Sequence, residues 1–271
     1  LQEMSNSFHF IIRHLIYLSL GLFIATIITK IKLSFYHDYS KAFLLLAFLI
    51  SLIVFIPGLG REINGARRWL DLGFITVQVS EVSRLFIMIW ICSFITKNDI
   101  NKSFNKCLLM IFLLCSIILI QRDFGSTALL VFTFFSLMLI VGLNIKKLFS
   151  YLLLAVIIAI PLIIFQPYRL KRIISFLNPW EDPTGSGYQL IASLLAFGKG
   201  GIFGLGLGSS VQKLLYLPES YNDFIFALIA EELGLLFSLM IIILFGFIFF
   251  RIIQLAKKSR DNNLIFASNL S

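Results

Sequence analysis

Residues 148–165 read LFSYLLLAVIIAIPLIIF, eighteen positions without one charged side chain. A helix on the surface of a water-soluble domain keeps a polar face, and this run has none. A continuous apolar stretch of about 18 or more residues instead reads as a helix that crosses a bilayer. Working outward, the same character returns at Phe8 to Thr29, Ala42 to Pro57, Val82 to Thr96, Cys107 to Ile120, Thr127 to Val141 and Phe224 to Phe250. Several of these are short, yet only 14% of the 271 residues are charged and 59% are hydrophobic. The expected fold is all-α: a polytopic helical integral membrane protein with seven spans and the start of an eighth at Leu264. The chain opens on Leu1 rather than Met and closes inside that last apolar run. It is therefore expected to be a single, partial transmembrane domain, residues 1–271, lacking both ends.

The formal net charge of +9 could point to nucleic acid, but its placement points to topology. Assigning alternate loops to the two sides puts Lys30, Lys32, Lys41, Lys97, Lys102, Lys106, Lys146, Lys147, Arg251, Lys257, Lys258 and Arg260 on one face. Only Asp38, Asp99 and Asp261 oppose them there. An excess of Lys and Arg marks the cytoplasmic side of a membrane protein, so no nucleic-acid partner is called for. The three cysteines, Cys92, Cys107 and Cys115, lie in or beside apolar segments. None falls in a loop assigned to the outer face, so they are expected as small hydrophobes and not as a disulfide framework.

The opposite, extracytoplasmic face holds the loop from Gly58 to Glu81, the turn Gln121 to Ser126, and a long loop from Gln166 to Asn222. Basic residues there run against the insertion bias, and for Arg67-Arg68, hard against a short span, an anionic ligand is the better explanation. In the long loop, YQLIASLLAF (188–197) suits a short helix lying in the membrane interface. The glycines from Gly198 to Gly208 lack both a preceding strand and a terminal Gly-Lys-Ser/Thr, which argues against a phosphate-binding loop. They are expected to be a flexible connection. Asn222-Asp223 reads as the N-cap of the last span, with Glu231 and Glu232 about two turns further along the same helix. Carboxylates at that depth normally face a cavity or a partner. Glu81 with Arg84, and Arg122 with Asp123, are either structural ion pairs or ligand contacts. Carboxylates, arginines and the aromatics Trp69, Trp180 and Tyr188 thus gather on one face, a layout suited to an amphiphile with an anionic head.

Five stretches carry a more specific likeness: NGARRWLDLG (64–73), QVSEVSRL (78–85), QRDFGST (121–127), PYRLKRIISFLNPWEDPTGSGYQLIASLLAFGKGGIFGLGLGSSVQKLLYLPES (167–220) and NDFIFALIAEELG (222–234). In this order and topology they resemble the SEDS family (shape, elongation, division and sporulation proteins), and NPWEDP, AFGKGG and SSVQKLLYLPE resemble its division branch. The family has ten transmembrane helices, and by resemblance this chain starts near the second and stops early in the ninth. The resemblance implies a peptidoglycan glycosyltransferase that polymerises lipid II into glycan strands during septal cell-wall synthesis, in the bacterial inner membrane. Its implied partners are a class B penicillin-binding protein and other divisome membrane proteins. Asp223 matches the catalytic aspartate of the family's (T/N)DFIF motif. With it go Arg68, Trp69, Glu81, Arg84, Asp123, Arg169, Tyr188, Gln189 and Lys213 as substrate-binding candidates, and Glu231 and Glu232 in support. Charge developing on the departing pyrophosphate is expected to meet Arg68, Arg84, Arg169, Lys213 or a divalent cation such as Mg2+ or Mn2+. One carboxylate opposite the leaving group implies inversion. The rival reading is a lipid II transporter or a non-catalytic divisome scaffold. Two positions depart from the family pattern: Val79 and Arg122 stand where the family usually has proline.

Overall fold

The computed structural model describes residues 9–63, 65–71, 73, 76–212 and 223–258. It divides into two compact units, one formed by the described residues up to 144, the other by 145–257. In the first unit lie α1 (His9–Lys30), α2 (Leu33–Asp38), α3 (Ser40–Ile53), β1 (Gly60–Ile63), β2 (Ala66–Asp71), β3 (Thr76–Gln78), α4 (Val79–Lys97), α5 (Ile100–Ile120) and α6 (Phe124–Ile140). The second holds α7 (Ile145–Ile164), α8 (Pro167–Leu177), a 3-10 turn at Pro179–Glu181, α9 (Tyr188–Gly200) and α10 (Ile225–Lys258).

Each of the seven expected spans is a helix. Val79–Lys97, Ser103–Ile120, Ile145–Ile164 and Ile225–Gln254 are long and apolar enough to cross a membrane; His14–Lys30, Ser40–Ile53 and Phe124–Ile140 are apolar but shorter. Twenty helical residues, the length of α7, rise about 30 Å, the thickness of a bilayer's hydrocarbon core. Helices run past the apolar stretches that announced them. α5 starts at Ile100, seven residues before Cys107, because intrahelical hydrogen bonding does not stop where the first lysine appears. The eighth span, from Leu264, lies outside the described residues.

In the first unit α4 is the central helix. Ile87, Ile91 and Cys92 have no exposed surface, and Trp90 is nearly covered. It packs on α3 through Ala47, Ser51 and Val54, all fully buried. Its buried serines are paired: Ser83 Oγ lies 2.7 Å from Ser51 Oγ, and Ser93 Oγ donates to the His37 carbonyl at 3.0 Å. α5 and α6 join through the stacked rings of Phe104 and Phe134, 5.9 Å apart. The outward faces remain apolar, with Phe132 and Ile140 each 71% exposed. Lipid accepts such a surface, so close packing and buried hydrogen bonds hold the helices instead.

The loop from Gly58 to Glu81 is not irregular. It folds as a three-stranded antiparallel sheet in the order β1-β2-β3. β1 pairs with β2 from Gly60↔Leu70 to Ile63↔Ala66 with a bulge between Arg61 and Glu62, and β2 pairs with β3 from Trp69↔Gln78 to Asp71↔Thr76. The Asn64-Gly65 dipeptide between β1 and β2 was the sequence signal for this hairpin. Charged neighbours masked it, because the strands carry no apolar alternation.

The described part of the long loop is likewise structured. The helix expected over 188–197 is α9, and ahead of it stands α8, an amphipathic helix the sequence reading left as loop. The turn between them is tied by Asp182, whose carboxylate accepts from Ser186 N and Ser186 Oγ at 3.0 Å each and meets Lys171 Nζ at 3.2 Å. The Ser186 backbone N–H, then Lys171 and the Ser186 hydroxyl, hold this exposed carboxyl down at a pKa of about 2.

Candidate active site

Asp223 is exposed and sits in the turn ahead of α10. It is not the N-cap expected from the sequence. The first helical carbonyl belongs to Phe224, which accepts from the N–H of Ala227 at 3.0 Å and Leu228 at 3.3 Å, so the cap falls one residue later. No described residue donates to the Asp223 carboxylate. Asn222 and Lys213 lie outside the described residues.

Along the same helix, Glu231 is fully buried and Glu232 half-buried. α10 is broken beside them: Gly234 has φ 78° and ψ −178°. That break strands carbonyls on one side and N–H groups on the other, and the glycine segment after α9 satisfies both. Leu205 N donates to the Glu231 carbonyl at 3.0 Å and Gly206 N to that of Glu232 at 2.9 Å, while Leu235 N and Leu236 N donate to the carbonyls of Gly201 and Ile202. A Cβ at Gly204, itself at φ +79°, would overlap the Glu232 carbonyl.

The two carboxylates then fasten the next stretch. Glu231 accepts from Ser210 Oγ, Val211 N (3.2 Å) and Gln212 N (3.3 Å); Glu232 accepts from Gly208 N (3.0 Å) and Ser210 N (3.3 Å). The glycine string is therefore not a flexible connection. It is locked into a helix break, and the Glu231 and Glu232 carboxylates fasten the chain as far as Gln212. Sequence reasoning missed this because the pairing joins residues some thirty positions apart.

The other candidates of this unit are placed as follows. Arg169 donates through Nη1 to the Leu162 carbonyl at 2.7 Å, closing the end of α7. Tyr188, half-buried, and Gln189, exposed, occupy the first turn of α9.

In the first unit the polar centre is Asp123, whose side chain is 4% exposed. Its Oδ2 accepts from Ser126 Oγ (2.8 Å), Ser80 Oγ (2.9 Å) and Gln78 Nε2 (3.0 Å), and Oδ1 accepts from Ser126 N (3.1 Å), which caps α6. Burial alone would raise its pKa, but the donors from Ser126, Ser80 and Gln78 outweigh that and hold it below the ordinary value. A carboxylate so covered and so easily ionised is an anchor rather than a ligand contact or base. Its cationic neighbour is Arg68, with Nη1 3.9 Å from Oδ1. Arg68 is one-third exposed and its buried Nε has no described partner.

Arg68 is the unpaired residue of the bulge in β2, since Arg61 pairs with Trp69 and Glu62 with Arg67, and Trp69 beside it is half-buried. The expected ion pairs do not form among the described residues. Glu81 is exposed and Arg84 half-buried one turn on, without a bridge, and Arg122 turns away from Asp123 to donate to the Gly65 carbonyl at 3.0 Å. At Arg122 φ is 61°, which a proline ring fixed near −65° could not adopt. Val79, by contrast, is the first residue of α4, a position proline tolerates.

Several helices apolar enough for a bilayer, four of them long enough to cross it, define a polytopic helical membrane protein. The chain belongs to the FtsW/RodA/SpoVE family of cell cycle proteins, whose family model matches residues 1–269. It is 41% identical over 278 residues to the probable peptidoglycan glycosyltransferase FtsW of Coxiella burnetii, covering 100% of this chain and 74% of that protein. To the FtsW of the same description from Wigglesworthia glossinidia brevipalpis it is 40% identical over 272 residues, covering 98% and 71%. In fold it is similar to a chain of a peptidoglycan synthase complex that coordinates polymerization and crosslinking (TM-score 0.72, 23% identity, 95% of this chain and 73% of that one). It is also similar to the rod shape determining protein RodA of Thermus thermophilus (TM-score 0.61, 20% identity, 94% and 70%).

Proposed function

We propose that this protein is a peptidoglycan glycosyltransferase that polymerises lipid II, with Asp223 as general base. The observation that carries this reading is the whole-chain identity of about 40% to relatives described as probable peptidoglycan glycosyltransferases. The geometry supports it. An exposed carboxylate with no donor among the described residues stands just ahead of α10. In the reaction, the acceptor hydroxyl attacks the anomeric carbon of a second lipid-linked sugar. Asp223 takes the hydroxyl proton, the new C–O bond forms, and the bond to the lipid pyrophosphate breaks with its electron pair on the leaving phosphate. Attack from the face opposite the leaving group inverts the anomeric centre. A base needs to come within about 2.6–3.2 Å of that hydroxyl.

Charge on the pyrophosphate is assigned to cationic groups, with Arg68 as the first candidate: it is partly exposed and lies 3.9 Å from Asp123. Arg84 is the second choice; Arg169 is committed to α7. A divalent cation, Mg2+ or Mn2+, would neutralise the same oxygens when bound. Among the described residues no three His, Cys, Asp or Glu side chains converge. The sheet and the α8–α9 hairpin belong on the extracytoplasmic side of the inner membrane. The division site and a class B penicillin-binding transpeptidase are the proposed setting and partner.

The test is to purify the full-length protein with that transpeptidase and supply labelled lipid II. A ladder of glycan polymer is expected. Lipid II crossing proteoliposomes with no polymer formed would overturn the assignment in favour of transport.

A further inference from the structure

Two helices of the first unit end in the same motif on different residues. α6 closes with Leu143 N bonded to the Met138 carbonyl and Gly142 N to that of Leu139, and Gly142 takes φ +88°. α5 closes with Asp123 N on Ile118 and Arg122 N on Leu119, and here Arg122 takes φ +61°. These are the paired bonds of a glycine-type helix C-terminus, which glycine makes without steric cost. A strained arginine in that place marks a side chain with a use of its own.

Beside it is a cavity of about 170 Å³ lined by Phe55, Glu62, Gly65, Arg67, Ile120, Gln121 and Arg122. It lies at the ends of α3 and α5, where span gives way to sheet. Gln121 is 1% exposed; it donates through Nε2 to the Ser51 carbonyl at 2.8 Å, and its Oε1 has no described partner. Arg67 is bonded through Nε to Glu62 at 3.0 Å. The charged lining is therefore two arginines and one glutamate, one net positive charge. We infer that this cavity binds the headgroup of an anionic phospholipid: a phosphodiester held by Arg67 and Arg122, with a hydroxyl reaching Gln121 Oε1. Phe55 and Ile120, exposed at the span ends, would meet its acyl chains. One net charge matches a phosphodiester monoanion, whereas a lipid pyrophosphate brings more negative charge than the lining offers. Guanidinium groups suit phosphate because their N–H groups fork onto two oxygens. The site is independent of the proposed catalysis.

Native mass spectrometry of the full-length protein, with phosphatidylglycerol or phosphatidylcholine added, tests it. Phosphatidylglycerol should be retained selectively, and Arg122→Gln and Arg67→Gln should each bind it about tenfold more weakly. Arg67→Gln leaves the helix terminus untouched, so its loss of binding does not reflect a misfolded turn. Arg61→Gln, on β1 outside the cavity, should bind as wild type does. Equal retention of both lipids, or unchanged retention by both cavity variants, would overturn the inference. So would equimolar lipid II displacing the phospholipid, which would assign the cavity to the pyrophosphate.

Discussion

Glu231→Gln changes one atom in the fastening of the chain before Asp223. In the native protein all three donors, the Ser210 hydroxyl and the N–H groups of Val211 and Gln212, point at a carboxylate. The amide keeps one oxygen, which can serve Ser210 and Gln212, but turns an NH2 group toward Val211 N–H. One hydrogen bond to a charged acceptor, worth about 1.5–3 kcal/mol, is lost, and the remaining two weaken to neutral strength. The residue is fully buried, so water does not replace the lost partner. The local cost is about 2–4 kcal/mol, or an opening equilibrium shifted by about 30- to 700-fold. Amide hydrogen exchange of residues 208–212 in detergent should accelerate by that factor, while α4 and the Phe104–Phe134 contact keep native protection. Wild-type exchange at Val211 and Gln212 would refute the fastening.

Further outcomes follow from the same geometry. Gly204→Ala, at φ +79° and against the Glu232 carbonyl, should lower the thermal midpoint, the backbone conformation alone costing about 1–2 kcal/mol. Gly198→Ala, inside α9 with nothing within 4 Å of the added methyl, should be neutral or raise the midpoint by virtue of about 0.5–1 kcal/mol of helix preference. Asp182 has a folded pKa of about 2 against an ordinary value near 3.9. Its ties to Ser186 and Lys171 therefore stabilise the hairpin fully above about pH 4 and are lost as pH falls toward 2. Exchange at Ser186, corrected for intrinsic rate, should rise over that interval and stay flat from pH 5 to 8; Asp182→Asn should abolish the dependence. Cysteines placed at Thr184 and Leu207 should react with an impermeant thiol reagent in intact cells and one at Lys102 should not, the native cysteines being buried. Labelling at Lys102 would reverse the proposed topology.

The spans were legible because a bilayer imposes a local rule: enough apolar residues in a row, as in 148–165, identify a helix without knowledge of its neighbours. The proposed sidedness rests on a similar local rule, the lysines that flank the runs. What escaped was everything set by contact between distant residues. The sheet of 60–78 is stabilised by cross-strand pairing and by Gln78 and Arg122 reaching other elements, not by an apolar pattern. The break at Gly234 looks like one helix in sequence, since EELG and the apolar run after it are both good helix formers; only the glycine segment filling the gap explains it. Asp123 and Arg122 read as neighbours of opposite charge, yet the left-handed turn sends one inward and the other outward. The polar candidates were therefore found as residue types, and their roles as anchors, fastenings or open groups came from the structure.

Polymerisation of labelled lipid II by the full-length protein and its Asp223→Asn variant, at matched membrane levels, tests the central claim most directly. Asp223 is exposed and receives no bond from a described residue, so the variant should keep native exchange at 208–212. Polymer formation should fall by about 10²- to 10⁴-fold, the usual contribution of a general base. A glycan ladder from Asp223→Asn equal to that of wild type would contradict the account.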